Sequence, residues 1–238
     1  VNERQPEDVR LEGILPAALF TGTLRLLEEL TALSSASGDR AGLWRVAERL
    51  GDELTARGLR AAVRAGLDGA VASPVVPDSG LPVLVAEGPL AGAHPLLLIG
   101  HLDTVLPAAV PRLTDGRLVA TGAVDMKGGL ATLVGALDLL ARRGLAPPAD
   151  LMLVAVPDEE VAGELSRAAV ARWGAVARAL WVLEPGEPGS APGAETVVGG
   201  RRGLFGWQLT AHGRAAHSGL HFAAGRSALL AAARWCVE

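Results

Sequence analysis

The sequence predicts an α/β fold, a mostly parallel sheet with helices on both sides, followed by the start of a smaller α+β unit. Three observations predict it. Apolar runs of strand length alternate with stretches of helical periodicity. The run 95–101, PLLLIGH, is apolar without alternation, as expected of a strand covered on both faces. After Gly186 the texture turns to glycine, proline and small polar residues.

The elements follow in order. Over 21–58, Leu24, Leu26, Leu27 and Leu30 recur at helical spacing until SSASGDR (34–40) breaks the run. A second helix follows over 42–58, with Asp39 as its cap. Strands are expected at 59–65, 81–88 and 95–101. A helix over 127–144 ends at Gly144, ahead of Pro147 and Pro148. Then come a buried strand (151–157), a helix (161–174) and another strand (179–185), which makes Trp181 a core residue. Residues 187–195 read as a loop and 203–213 as a half-exposed strand. A last helix runs to the end. A domain boundary is expected near 197–200, dividing 1–198 from 199–238.

Composition limits what the chain can be. Of its 238 residues 50% are hydrophobic, which supplies a core and excludes a disordered tail. A net charge of -4 argues against a nucleic-acid binder, which would show a basic face. No run approaches the roughly 18 apolar residues of a membrane span. The opening VNERQPEDVR lacks the basic start and apolar stretch of a leader, so a cytoplasmic protein is expected. The sequence opens on Val1 and stops at Glu238 within a helical pattern, so it reads as part of a longer chain. The single cysteine, Cys236, excludes an internal disulfide and a multi-cysteine zinc cage; it is expected to be a buried packing thiol. Any metal must therefore be held by His, Asp and Glu. Lys127 is the only lysine in an arginine-rich chain, which reads as coding bias and offers a chemical label.

Ligands in open α/β sheets bind at the carboxyl ends of the strands, and here those ends carry the reactive residues. His101 and Asp103 follow one strand, Asp158-Glu159-Glu160 another and Glu184 a third, while Asp125 stands at a loop-to-helix junction. Each has an ordinary explanation. His101 and Asp103 could pair in solvent, Asp125 could cap a helix, the acidic triplet could complement a helix dipole, and Glu184 could close a strand in an ion pair. Together they gather carboxylates and an imidazole on one edge, at an electrostatic cost that a cation removes. Imidazole and carboxylate without thiolate suits zinc, with cobalt or manganese as substitutes.

These pieces resemble a known family, the dizinc aminoacylases and carboxypeptidases. It includes glutamate carboxypeptidase, acetylornithine deacetylase and succinyl-diaminopimelate desuccinylase. The resemblance rests on LLLIGHLDTVLP (96–107), ATGAVDMKGG (120–129), VPDEEVAG (156–163), WVLEP (181–185) and GRAAHSG (213–219), with the HLDTV and LEP wording closest to the glutamate carboxypeptidase branch. It implies a three-layer zinc-peptidase domain in which His101 and Glu184 hold one zinc, Asp125 bridges both ions and Glu160 belongs to the second. It further implies that Asp103 orients His101, that Glu159 is the general base, and that the peptide after Asp125 is cis. His217 matches a lid histidine that in relatives reaches across a homodimer to the partner's oxyanion. Without that resemblance His217 is a turn residue.

Two departures stand out. Ala162-Gly163 replaces the family's Gly-Ser, and the stretch from Asp103 to Asp125 is short. The family's last zinc-ligating histidine falls beyond the lid, and no histidine follows His221 here, so this stretch alone is expected to be inactive. The implied activity is amide hydrolysis of a small peptide or N-acyl amino acid by a homodimer with two zinc ions per subunit. The alternatives are a non-catalytic metal- or peptide-binding relative and a deacylase of the acetylornithine or succinyl-diaminopimelate type.

Overall fold

Asp39 starts helix α2 (Arg40–Thr55): its carboxylate accepts the Gly42 amide at 3.0 Å. Leu43, Val46, Ala47, Leu50 and Leu54 then recur on one face and are all buried, with Arg45, Glu48 and Asp52 at positions between them. The computed structural model describes residues 17–67, 80–92, 94–114, 117–188, 195–200, 202–203 and 206–237. The stretch VNERQPEDVR and most of the loop 187–195 lie outside them. By its contacts the chain divides into two units, Val1–Gly186 and Glu187–Glu238.

In the first unit, helix α1 (Ala17–Ala32) precedes α2. Strands β1 (Arg60–Ala65), β2 (Pro82–Glu87) and β3 (Leu96–His101) follow, then a small hairpin of β4 (Arg112–Thr114) and β5 (Arg117–Val119). Helix α3 (Gly128–Arg142), strand β6 (Leu151–Val156), helix α4 (Glu164–Ala169) and strand β7 (Ala179–Val182) complete it. The five-stranded sheet has the order β1-β2-β6-β3-β7. β6, β3 and β7 pair in parallel, while β2 pairs antiparallel with both β1 and β6, so four strands run one way and only β2 is reversed.

Alternate residues of the sheet feed two cores. Leu84, Ala86, Leu98, Leu153 and Ala155 pack under α1, α2 and α3. Val83, Leu97, Ile99, Met152, Val154 and Val156 face the other way, onto Leu165 and Ala169 of α4. The result is three layers, helix–sheet–helix, as the apolar central strands require.

Lys127 joins two of these helices. It is 1% exposed, and its ammonium donates to the carbonyls of Leu30 and Leu33, 2.9 Å each, at the end of α1. Those carbonyls have no partner within the helix, and the cation also complements the negative end of the helix dipole. Burial pushes the ammonium down to about 8. So enclosed, it is a poor site for a chemical label.

Local structure departs from the sequence expectation in several places. The helix expected over 161–174 is divided: a single turn (Glu159–Val161), α4, and a wider turn (Val170–Gly174). Trp181 is 65% exposed instead of core; its strand, β7, stands at the edge of the sheet with only β3 beside it among the described residues.

The second unit holds a two-residue ladder of β8 (Glu187–Pro188) and β9 (Glu195–Thr196), a single bridge between Arg214 and Arg226, and helix α5 (Ala228–Val237). Residues 206–213 are not a strand, since they pair with no neighbour among the described residues. Cys236 is exposed on α5, whose described residues show no buried face, so the packing role expected of it is not met. Among the described residues no helix is long and apolar enough to cross a membrane.

Candidate metal centre

Parallel pairing sets the ends of three strands side by side. His101 lies opposite Val156, and Ile99 opposite Val182. The segments leaving β3, β6 and β7 therefore deliver Asp103, the Asp158–Glu160 triplet and Glu184 to one edge. The turn Ala123–Lys127 before α3 brings Asp125 to meet them.

His101 is the buried anchor, at 1% exposure. Its Nδ1 faces the Asp103 carbonyl oxygen at 2.9 Å and Oδ1 of the same residue at 3.3 Å. With both neighbours acceptors, Nδ1 is the donor, which turns Nε2 outward toward the carboxylates at the sheet edge. Nε2 lies 2.9 Å from Oδ1 of exposed Asp125 and 3.3 Å from Oε1 of half-buried Glu184. One ligand atom each of His101, Asp125 and Glu160 lies within 4.8 Å of the others. The Asp125–Met126 peptide is cis, and the Met126 sulfur accepts the His101 amide at 3.0 Å. Lys127, not Asp125, stands at the N-cap of α3, and Asp125 Oδ1 is the atom facing His101.

The acidic triplet divides its labour. Asp158 accepts the amides of Leu165 and Ser166 at 3.0 and 2.9 Å and so fastens the start of α4. Its carboxylate occupies the space where a Cβ on residue 163 would go, which is why a glycine stands there. Glu159 and Glu160 instead turn toward the cluster, their amides donating to the Asp103 carboxylate at 3.1 and 3.2 Å. Ser37 also donates to Asp103, at 2.8 Å. Neither Ser37 nor the role of Lys127 was legible in the sequence: Ser37 stands in a run of small polar loop residues, and Lys127 carried only its rarity as a signal.

The electrostatics match the geometry. Burial opposes the charge on His101, but hydrogen bonds and charge from Asp103 and Glu184 carry the imidazole up to about 11. Burial likewise opposes charge on Asp103, yet His101, Ser37 and the Glu160 amide hold it below the usual carboxylate range. Glu159 and Glu160 go up, through partial burial and then the charge of the neighbouring carboxylates. The outward-facing imidazole nitrogen of His101 with the carboxylates of Asp125 and Glu160 forms a donor set that a divalent cation fits.

His217 lies in the second unit. It is exposed, and its Nδ1 accepts the amides of Gly219 and Leu220 at 3.2 Å each, which leaves the proton on Nε2.

Comparison with known proteins places this arrangement. Residues 97–233 match the model of peptidase family M20/M25/M40. A probable carboxypeptidase of Aspergillus terreus is 36% identical over 138 residues, covering 54% of this chain and 30% of the relative. A succinyl-diaminopimelate desuccinylase of Shewanella loihica is 37% identical over 134 residues, 51% of this chain and 35% of the relative. The chain thus spans about a third of the length of these relatives. Two solved structures share the fold: the aminopeptidase PepT of Bacillus cereus (TM-score 0.59, 20% identity, 95% of this chain and 57% of that one) and human carnosine dipeptidase 1 (TM-score 0.55, 22% identity, 72% and 40%). With a family match over more than half its length, running from the strand that bears His101 into the last helix, the chain belongs to peptidase family M20/M25/M40.

Proposed function

We propose that this chain carries most of the metal-holding half of a metal-dependent hydrolase that cleaves an amide bond of a small peptide or N-acyl amino acid. The observation that carries the reading is the convergence of His101 Nε2, Asp125 and Glu160 beside a Glu159 of raised proton affinity. His101 and Glu184 would hold one zinc ion, Asp125 would bridge, and Glu160 would hold a second. Bound there, zinc supplies Lewis acidity toward the scissile carbonyl and toward water.

The chain's own residues supply the rest. Asp103 fixes the tautomer and direction of His101. Glu159, its backbone tied to Asp103 and its carboxyl at the exposed rim, takes a proton from the attacking water and returns it to the leaving nitrogen. A carboxylate of raised proton affinity suits that exchange. His217, with its proton on Nε2, is a donor for a developing oxyanion, supplied from a partner subunit of a homodimer.

In this reading 1–198 is the catalytic portion and 199–238 the start of a lid and dimerisation domain. The glutamate carboxypeptidase branch is the favoured substrate type, on the wording around His101 and Glu184. A deacylase of N-acylated amino acids is the second reading, favoured by the desuccinylase relatives.

Glu159→Ala in the full-length protein tests the assignment. It should keep bound zinc while turnover falls roughly 100-fold or more; near-normal turnover would remove Glu159 as the base.

A further inference from the structure

The Asp103 carboxylate has four partners and 1% exposure. Oδ1 faces His101 Nδ1 and accepts the Glu159 amide; Oδ2 accepts the Glu160 amide at 3.2 Å and the Ser37 hydroxyl at 2.8 Å. One planar group thus sets the imidazole and the backbone of both glutamates at once. Such a group works only in one rotation about its last torsion, and that torsion is intrinsically soft. On Oδ2 the hydroxyl is the shorter of the two contacts.

Ser37 stands on a rigid mount. Its amide donates to the Thr104 carbonyl and the Thr104 amide to the Ser35 carbonyl, both at 3.0 Å, so the loop between α1 and α2 is stitched to the residue that follows Asp103. Asp39, two residues on, is anchored at the start of α2. The backbone at residue 37 is therefore held without help from the side chain, and the hydroxyl is free to act on the carboxylate.

We propose that Ser37 is a positioning residue of the metal centre: its hydroxyl locks the Asp103 carboxylate in the rotation that backs His101 and holds the Glu159–Glu160 backbone together. The inference rests on the metal-centre reading above. It extends the site to the loop between the first two helices, ahead of every other residue assigned to it.

Ser37→Ala and Ser37→Thr in the full-length protein test it. Partners one shell out from a metal alter its affinity by about 10–100-fold. Ser37→Ala should therefore weaken zinc binding roughly 10-fold in a chelator competition and shift the visible spectrum of the cobalt-loaded protein. Ser37→Thr, which keeps the hydroxyl, should restore both. In the metal-free proteins, hydrogen exchange at the Glu159 and Glu160 amides should speed up in Ser37→Ala while α1–α3 stay protected. Unchanged zinc affinity and exchange in Ser37→Ala would overturn the proposal. So would loss of protection throughout the core, which would make Ser37 a residue of the fold alone. If the parent protein binds no zinc, the metal-centre reading itself falls and takes this proposal with it.

Discussion

Gly129→Ala and Gly51→Ala are the same chemical change in two helices, and the structure predicts opposite signs. Each replaces a helical glycine, which by itself favours the folded state by about 0.5–1 kcal/mol. At Gly51 in α2 the new methyl meets Leu84 and Val63 side chains at 3.4 and 3.6 Å, an ordinary contact, so the gain should be realised. At Gly129 in α3 it falls 1.9 Å from the Leu183 carbonyl oxygen, more than an ångström inside the 3.0 Å floor of such contacts. That carbonyl cannot retreat freely, because the Leu183 amide is bonded to Ile99 of β3 at 2.8 Å. Overpacking of this kind costs about 1–3 kcal/mol; set against a helical gain of about 0.5–1 kcal/mol, it leaves a net loss centred on about 1 kcal/mol and reaching about 2.5 kcal/mol. Leu183 also precedes Glu184, so displacement there moves a carboxylate that faces His101. Urea denaturation reads the first effect as a lower midpoint at unchanged m-value, and zinc competition reads the second as an affinity loss of about tenfold or more. A Gly129→Ala protein as stable as Gly51→Ala, with parental zinc affinity, would refute the close approach of α3 to the Glu184 segment.

Three further outcomes are expected. Asp158→Ala should lower stability by about 1–2 kcal/mol through the lost amide contacts at the start of α4 and leave zinc affinity unchanged; a large affinity loss would place Asp158 in the centre. Ala162 holds a left-handed φ of 51°, where an L-residue costs about 1–2 kcal/mol. Ala162→Gly should therefore raise stability by roughly 0.5–1 kcal/mol after the extra chain entropy of glycine is subtracted, read by the thermal midpoint. Finally, His101 is raised from 6.5 to about 11, so at neutral pH the metal-free imidazole holds a proton that a metal must displace. Zinc affinity should rise with pH between 6 and 8, and calorimetry in buffers of different ionisation enthalpy should find a proton released; no release would contradict the charge state. The same shift stabilises the metal-free fold fully below pH 6.5, and that contribution is lost as pH rises toward 11.

The ligand edge was legible because parallel strands separated by helices must end together, so the residue after each strand declares itself by position. The identity of the edge residues did the rest. The direction of β2 was not legible: apolar patterning reports which faces are buried and is silent on polarity along the strand. The division of Asp158 from Glu159 and Glu160 turns on a φ/ψ change at one residue, which three consecutive acids cannot encode. Ser37 works through a contact with a residue 66 positions away, and nothing local marks it. Lys127 likewise carries no local mark of its role. Its rarity says nothing of its place, where a compact ammonium sits between two carbonyls that a planar guanidinium would fit poorly.

The strand order has a consequence for the order of events during synthesis. β2 and β3 are consecutive along the chain but stand apart in the sheet, with β6 inserted between them. A ribosome delivers His101, Asp103 and Asp125 well before β6 exists to hold β3 in register, and Glu184 emerges later still. At about 5–20 residues per second, several seconds separate the first donor from the last. During that interval the imidazole and the carboxylates are present but not yet held beside one another. The proposed donors come together only when the last parallel strand pairs with β3, so this edge is assembled late, by a formed sheet rather than by the growing chain.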